Sequence, residues 1–143
     1  LGDPTKSYIK DEINKAIKYR ESYRPFAPIT LQSKVDKYFE VSKKFSNNYM
    51  EKVVKVKTKF SSKLGAVTHF DNSARVQTVY KDSPNNLYNI LLEFEKLTSY
   101  PILLNTSFNV SGEPMVLTPG DAINTFFKSG LKVLMLNKFI ISK

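Results

Sequence analysis

Near the start of the chain, in "KSYIKDEINKAIKYRES", Ile9, Ile13, Ala16 and Ile17 recur at helical spacing. They predict an amphipathic helix ending near Tyr19. Pro25 disfavours helix at Arg24, so "RPFAPITL" should be extended. "KVDKYFE" reads as a short helix. "EKVVKVKTKF" alternates at Val54, Val56 and Thr58, the period of a strand with one wet face. "LGAVTHF" and "ARVQTVYK" read as two strands parted by the turn residues Asp71, Asn72 and Ser73. In "NNLYNILLEFEKLTSY", Leu87, Ile90, Leu91, Phe94 and Leu97 predict the strongest helix of the chain. "PILLN" is a short buried strand, and "TPGDAINTFFKSG" a helix capped by Thr118, with Pro119 in its first turn and Gly130 at its close. "LKVLMLNKFIISK" supplies one or two final strands. Helices alternate with strands, so the fold class is α/β (α+β), a sheet with helices packed on it.

The 143 residues fit one domain, and no repeat, linker or low-complexity tract marks an internal boundary. A chain of this length buries roughly 68% of its unfolded surface, enough for a true core. A hydrophobic fraction of 41% with 13% aromatics argues against disorder. No apolar run approaches the ~18 residues of a membrane span. There is no cysteine, which excludes disulfides and thiolate metal sites and fits a cytoplasmic location. The chain starts at Leu1, not Met, as a piece of a longer protein would.

Charge narrows the search. The net charge is +9, from 22 basic and 13 acidic residues, yet only Arg20, Arg24 and Arg75 are arginine. Scattered lysines read as solvated surface. A rare arginine is a candidate for planar, bidentate recognition of phosphate or carboxylate, which lysine does badly. Arg20 and Arg24 lie four apart across a helix end with Lys18 nearby, and Arg75 follows the turn of "THFDNSARVQTV". After the strand "PILL", the loop "NTSFNVSGEP" gathers Asn105, Thr106, Ser107, Asn109 and Ser111. Such a loop offers hydroxyls, amides and backbone N–H groups to one anion. Each feature has a plain structural reading of equal weight: a salt bridge, an edge-strand charge and a self-satisfied turn. His69 and Asp71, two apart on a strand, would share a face, but a zinc site needs three or four ligands. A hydrogen-bonded histidine is the simpler reading, and no metal site is assigned. Ser107 lacks a nucleophile elbow, and no glycine-rich phosphate loop is present.

"YRESYRPFAP", "VTHFDNSARVQTV" and "PILLNTSFNVSGEPMV" resemble, in order and spacing, the C-terminal region of the NodU/TobZ-type carbamoyltransferases. The family patterns approximate K-x-R-E-x-F-R-P-F-A-P, H-x-D-x-(S/T)-A-R-x-Q-T-V and L-N-T-S-F-N-x-x-G-E-P. The resemblance covers nearly the whole chain. It implies a YrdC-like fold, a twisted mixed sheet binding ATP, with Mg2+, and carbamoyl phosphate to make carbamoyl-adenylate. A larger N-terminal domain with its own metal site would pass the carbamoyl group to an acceptor hydroxyl of sugar type. The resemblance places Lys18, Arg20, Arg24 and Arg75 on phosphate and carbamoyl-phosphate oxygens, with Arg24 and Arg75 catalytic. Ser107, Asn109 and the backbone around Thr106 fall on the nucleotide phosphates. Tyr23 stands where Phe is usual. The family's stretch close to G-P-R-A-L-G-N-R-S-I is absent, so residues 1–143 would be one domain of a larger enzyme, without its N-terminal partner and inactive alone.

Two other readings stay open. A pI near 9.6 with interleaved Tyr and Phe allows a basic nucleic-acid module. Against it, many aromatics occupy core-type positions and the basic residues form no run. The other is a non-catalytic interaction domain. In "SFN" the alternation predicts Ser107 and Asn109 turned together toward bound phosphate and Phe108 turned the other way into the core.

Overall fold

The computed structural model describes residues 1–84 and 86–143. They form two compact units: Leu1–Lys10 with Pro25–Thr106, and Asp11–Arg24 with Ser107–Lys143. Mixed helices and small sheets make this an α/β fold. No helix among the described residues is long and apolar enough to cross a membrane.

Helix α1 (Ile9–Ile13) widens into a π-turn over Asn14–Lys18 and stops at Tyr19, which is left-handed at φ 49°. In the first unit follow β1 (Ala27–Leu31), α2 (Val35–Tyr38), β2 (Val54–Lys55), α3 (Thr58–Ser61), β3 (Ser73–Ala74), β4 (Gln77–Val79), α4 (Leu87–Thr98) and β5 (Ile102–Asn105). The main sheet has the order β4-β1-β5. β1 runs parallel to β4 (Ile29 opposite Gln77) and antiparallel to β5 (Ile29 opposite Leu103). All five β1 residues are buried, as a central strand requires. Pro28 is tolerated because β4 pairs only from Ile29 onward, leaving an open edge at the proline. Both sheet edges are covered. Gly2 exchanges hydrogen bonds with Leu104 (3.0 and 2.8 Å), and the Asn47 carbonyl accepts from Thr78 N–H at 2.9 Å. Helix α4 lies on the sheet, with Leu91 buried against Ile29, Leu31, Val79 and Leu103.

The outline agrees with the hydrophobic pattern, and the differences have local causes. "LGAVTHF" is not a strand: Gly65–Val67 form a 3₁₀ turn. Ala66 and Val67 are both buried, whereas a period of two would send them to opposite faces. The strand expected from Val54 to Thr58 is two residues long, and Thr58 opens α3. "ARVQTVYK" breaks after Ala74, so β3 pairs with β2 while β4 pairs with β1, and exposed Arg75 sits at the crossing. His69 and Asp71 occupy a turn instead of one strand face. Leu97 is 85% exposed because it lies ~120° round α4 from Leu91.

The second unit contains α5 (Pro119–Lys128) and the hairpin β6 (Val133–Leu136) and β7 (Phe139–Ser142). Thr118 and Asp121 form a reciprocal cap: Asp121 N–H donates to Thr118 Oγ1 (3.1 Å), and Thr118 N–H to Asp121 Oδ2 (3.0 Å). Ala122, Phe126 and Leu134 are the buried centre, with Phe108, Val116 and Ile141 packed against them. The π-turn is anchored here. Its Ala16 carbonyl accepts from Gly130 N–H (2.7 Å) and its Ile17 carbonyl from Ser111 N–H (3.1 Å), groups that a helix end otherwise leaves to water. Gly130 approaches so closely that a Cβ there would stand 3.1 Å from Ala16 Cα. Gly130→Ala is therefore expected to destabilise the protein by about 1–3 kcal/mol, read as a lower midpoint of thermal unfolding.

Candidate functional site: a buried lysine beneath a polar loop

The end of the π-turn places Lys18 inside the second unit, where the side chain is 1% exposed. A lysine is rarely buried without partners. Lys18 has three: its ammonium donates to Ser107 Oγ (2.9 Å), Asn109 Oδ1 (2.7 Å) and the Asn109 carbonyl (3.2 Å). Its three N–H donors are thus matched by three oxygens of the loop. Burial first, and Arg20 second, lower the Lys18 pKa from 10.5 to about 8. The surrounding oxygens oppose that fall by solvating the charged form.

The loop is tied to itself as firmly as to the lysine. Ser107 Oγ donates to Asn109 Oδ1 at 2.6 Å. The Asn109 amide donates to the carbonyls of Glu113 (2.7 Å) and Val110 (3.2 Å). Gly112, at φ 83°, turns the chain between them. Phe108 packs on the Ala122, Phe126 and Leu134 cluster while Ser107 and Asn109 share the other side, the sorting the alternation predicts, and what those two side chains meet there is Lys18. Among the described residues, the backbone N–H groups of Ser107, Phe108, Asn109 and Val110 donate to no protein acceptor. Four consecutive N–H groups without a protein acceptor, near a buried cation, are donors of the kind an anion cradle uses.

The other predicted residues are placed as follows. Arg20 is half-buried in the second unit, and Asn14 fixes its backbone. Asn14 Nδ2 donates to the Arg20 carbonyl (2.6 Å), and Arg20 N–H donates back to Asn14 Oδ1 (2.9 Å). In the sequence, Asn14 stands out only as a turn-favouring residue inside a helical pattern. Arg24 is exposed and lies 3.7 Å from Glu21. Such a solvated pair is worth only about 0–1 kcal/mol, so its guanidinium is easily redirected. Thr106 and Arg75 belong to the first unit, Thr106 half-buried and Arg75 exposed.

His69 has a bonded partner of its own. Its Nδ1 lies 3.0 Å from Ser73 Oγ, which donates to Asp71 Oδ1 at 2.6 Å. The Ser73 hydroxyl, then Lys55, lower the Asp71 pKa from 3.8 to about 2. No group of three metal-ligating side chains is assembled among the described residues.

The profile described as "Carbamoyltransferase C-terminus" matches residues 1–143. The chain belongs to this family. Nodulation protein NolO of Bradyrhizobium diazoefficiens is 42% identical over 144 residues, covering 100% of this chain and 26% of that protein. An uncharacterized protein of a Synechocystis strain is 39% identical over 163 residues, again 100% of this chain and 26% of its own length. Nodulation protein U of Sinorhizobium fredii is 39% identical over 112 residues, 78% of this chain and 20% of that protein. The carbamoyltransferase C-terminal chain therefore spans about a quarter of the length of the curated relatives it matches.

Proposed function

We propose that this chain is the ATP-binding and carbamoyl-phosphate-binding part of a full-length carbamoyltransferase, which forms carbamoyl-adenylate for transfer to an acceptor hydroxyl of sugar type. The observation that carries the reading is the loop Ser107–Val110, whose four backbone N–H groups have no protein acceptor and whose Ser107 and Asn109 side chains hold the buried Lys18 ammonium. For carbamoyl-adenylate to form, carbamoyl phosphate would give up its phosphoryl group to water as inorganic phosphate, leaving carbamate; a carbamate oxygen then bonds to the α-phosphorus of ATP as pyrophosphate leaves, and negative charge gathers on the phosphoryl oxygens. Fixed donors and cations stabilise that charge without reorganising. In this reading Lys18 sets the cradle's shape and potential from beneath. Ser107, Asn109 and the backbone around Thr106 hold the nucleotide phosphates. Arg20, Arg24 and Arg75 bind the remaining phosphate and carbamoyl-phosphate oxygens, with Arg24 and Arg75 at the reacting groups. The described residues offer no built metal cluster, so Mg2+ accompanying ATP would be held chiefly by the phosphates. Transfer to the acceptor is assigned to the remainder of the full-length protein, in the cytoplasm.

The test uses the arginines. In the full-length protein, Arg24→Lys and Arg75→Lys are expected to weaken ATP or carbamoyl-phosphate binding by about 10- to 150-fold. Charge-assisted hydrogen bonds are worth ~1.5–3 kcal/mol, and lysine loses the planar fork. Unchanged calorimetric affinities in both variants would remove phosphate recognition as their role.

A further inference from the structure

Asn14 both opens the π-turn and closes it. Its carbonyl accepts from Tyr19 N–H (2.8 Å). Its side chain reaches one residue further. Oδ1 accepts from Arg20 N–H (2.9 Å), and Nδ2 donates to the Arg20 carbonyl (2.6 Å). The planar amide thus pairs with both backbone groups of one residue, as the opposite residue of an antiparallel strand would. Between these bonds Tyr19 is left-handed at φ 49°, a conformation uncommon outside glycine. Its ring is exposed, so no packing of its own compensates for that conformation.

The turn decides where Arg20 lies. An α-helix continued past Lys18 would swing residue 20 about 200° round the axis, away from the loop that holds the lysine. The reversal at Tyr19 keeps Arg20 half-buried and close enough for its charge to lower the Lys18 pKa. The oxygens that hold Lys18 belong to a hydroxyl, an amide and a carbonyl, so no carboxylate cancels its charge. Like charges so placed repel, and a bound anion relieves the repulsion. Asn14, Lys18, Arg20, Ser107 and Asn109 all belong to the second unit.

We propose that Asn14 is a positioning residue, whose side chain locks the Arg20 backbone so that the guanidinium acts on the same anion as the Ser107–Val110 loop. The proposal rests on the nucleotide reading above and adds the residue that sets Arg20 in place. The experiment is a double-mutant cycle on the full-length protein, with ATP affinity read by calorimetry. Arg20→Ala is expected to lower the affinity about 10- to 150-fold, the worth of a charge-assisted hydrogen bond. Asn14→Ala is expected to lower it about 5- to 100-fold. The double variant should bind as Arg20→Ala does, because Asn14 has nothing left to position. Asn14→Ser, which keeps a short hydroxyl at the turn, runs in the same cycle and supplies the answer should the alanine variant not fold. Losses that simply add overturn the positioning role, since a residue that only supports the fold weakens binding with or without the guanidinium. Wild-type affinity in the Asn14 variants beside a loss in Arg20→Ala also overturns it, and leaves the phosphate reading intact. Failure of the wild type to bind ATP overturns both readings.

Discussion

Asn109→Ala is expected to cost about 2–4 kcal/mol and to lower the midpoint of thermal unfolding by roughly 5–15 °C. Read as a loop residue facing a ligand, Asn109 should be dispensable for folding. The structure gives its side chain four hydrogen bonds. Its Oδ1 accepts from Lys18 and Ser107, and its amide donates to the Glu113 and Val110 carbonyls. Truncation leaves a buried ammonium with one acceptor fewer and strips the Glu113 carbonyl of a 2.7 Å bond. Leaving a buried polar group unsatisfied costs about 1–3 kcal/mol, and more when the group is charged. Asn109→Asp is a useful control, because it keeps an acceptor for Lys18 but loses the amide donor. It should fall between wild type and Asn109→Ala in differential scanning calorimetry. Unfolding of Asn109→Ala at the wild-type temperature would mean that the loop reorganises freely around the lysine.

That contrast marks what the sequence could carry. Elements defined by their own local pattern were legible: the Thr118 cap, the Leu91 face of α4, the buried "PILL" strand and the final hairpin. The side-to-side order of Ser107, Phe108 and Asn109 was legible too, since alternation needs only neighbours. What failed depended on distant partners. "ARVQTVYK" divides at Arg75 because β2 and β1 claim its two halves, a competition invisible within eight residues. "LGAVTHF" looked like a strand until both Ala66 and Val67 required burial. The union of Lys18 with Ser107 and Asn109 spans 89 and 91 residues of chain. No spacing rule reaches that far. Motif order brought the three residues to notice, but it assigned Lys18 to ligand oxygens, and only the fold reveals that all three ammonium protons are taken by the loop.

Lys18 also makes folding and binding respond to alkali in opposite directions. Its pKa is 10.5 in an ordinary setting and about 8 in the folded protein. Below about pH 8 both states hold the proton, and the folded state bears the full cost of burying a charge. Between about 8 and 10.5 the unfolded chain keeps a proton that the folded protein has released. Stability from this group therefore rises with pH across that window and levels off above it. Anion binding runs the other way, because the cradle loses its buried positive charge once Lys18 is neutral. ATP affinity of the full-length protein is expected to fall about 10- to 150-fold from pH ~7 to pH ~9.5, the worth of a charge-assisted interaction of ~1.5–3 kcal/mol. Lys18→Met should bind ATP weakly at both pH values and show neither dependence. Subtracting its thermal-unfolding and calorimetric profiles from those of wild type isolates the lysine from every other titrating group. A wild-type affinity that stays flat across the window, or a fall that persists in Lys18→Met, would show that the bound anion does not feel the Lys18 charge.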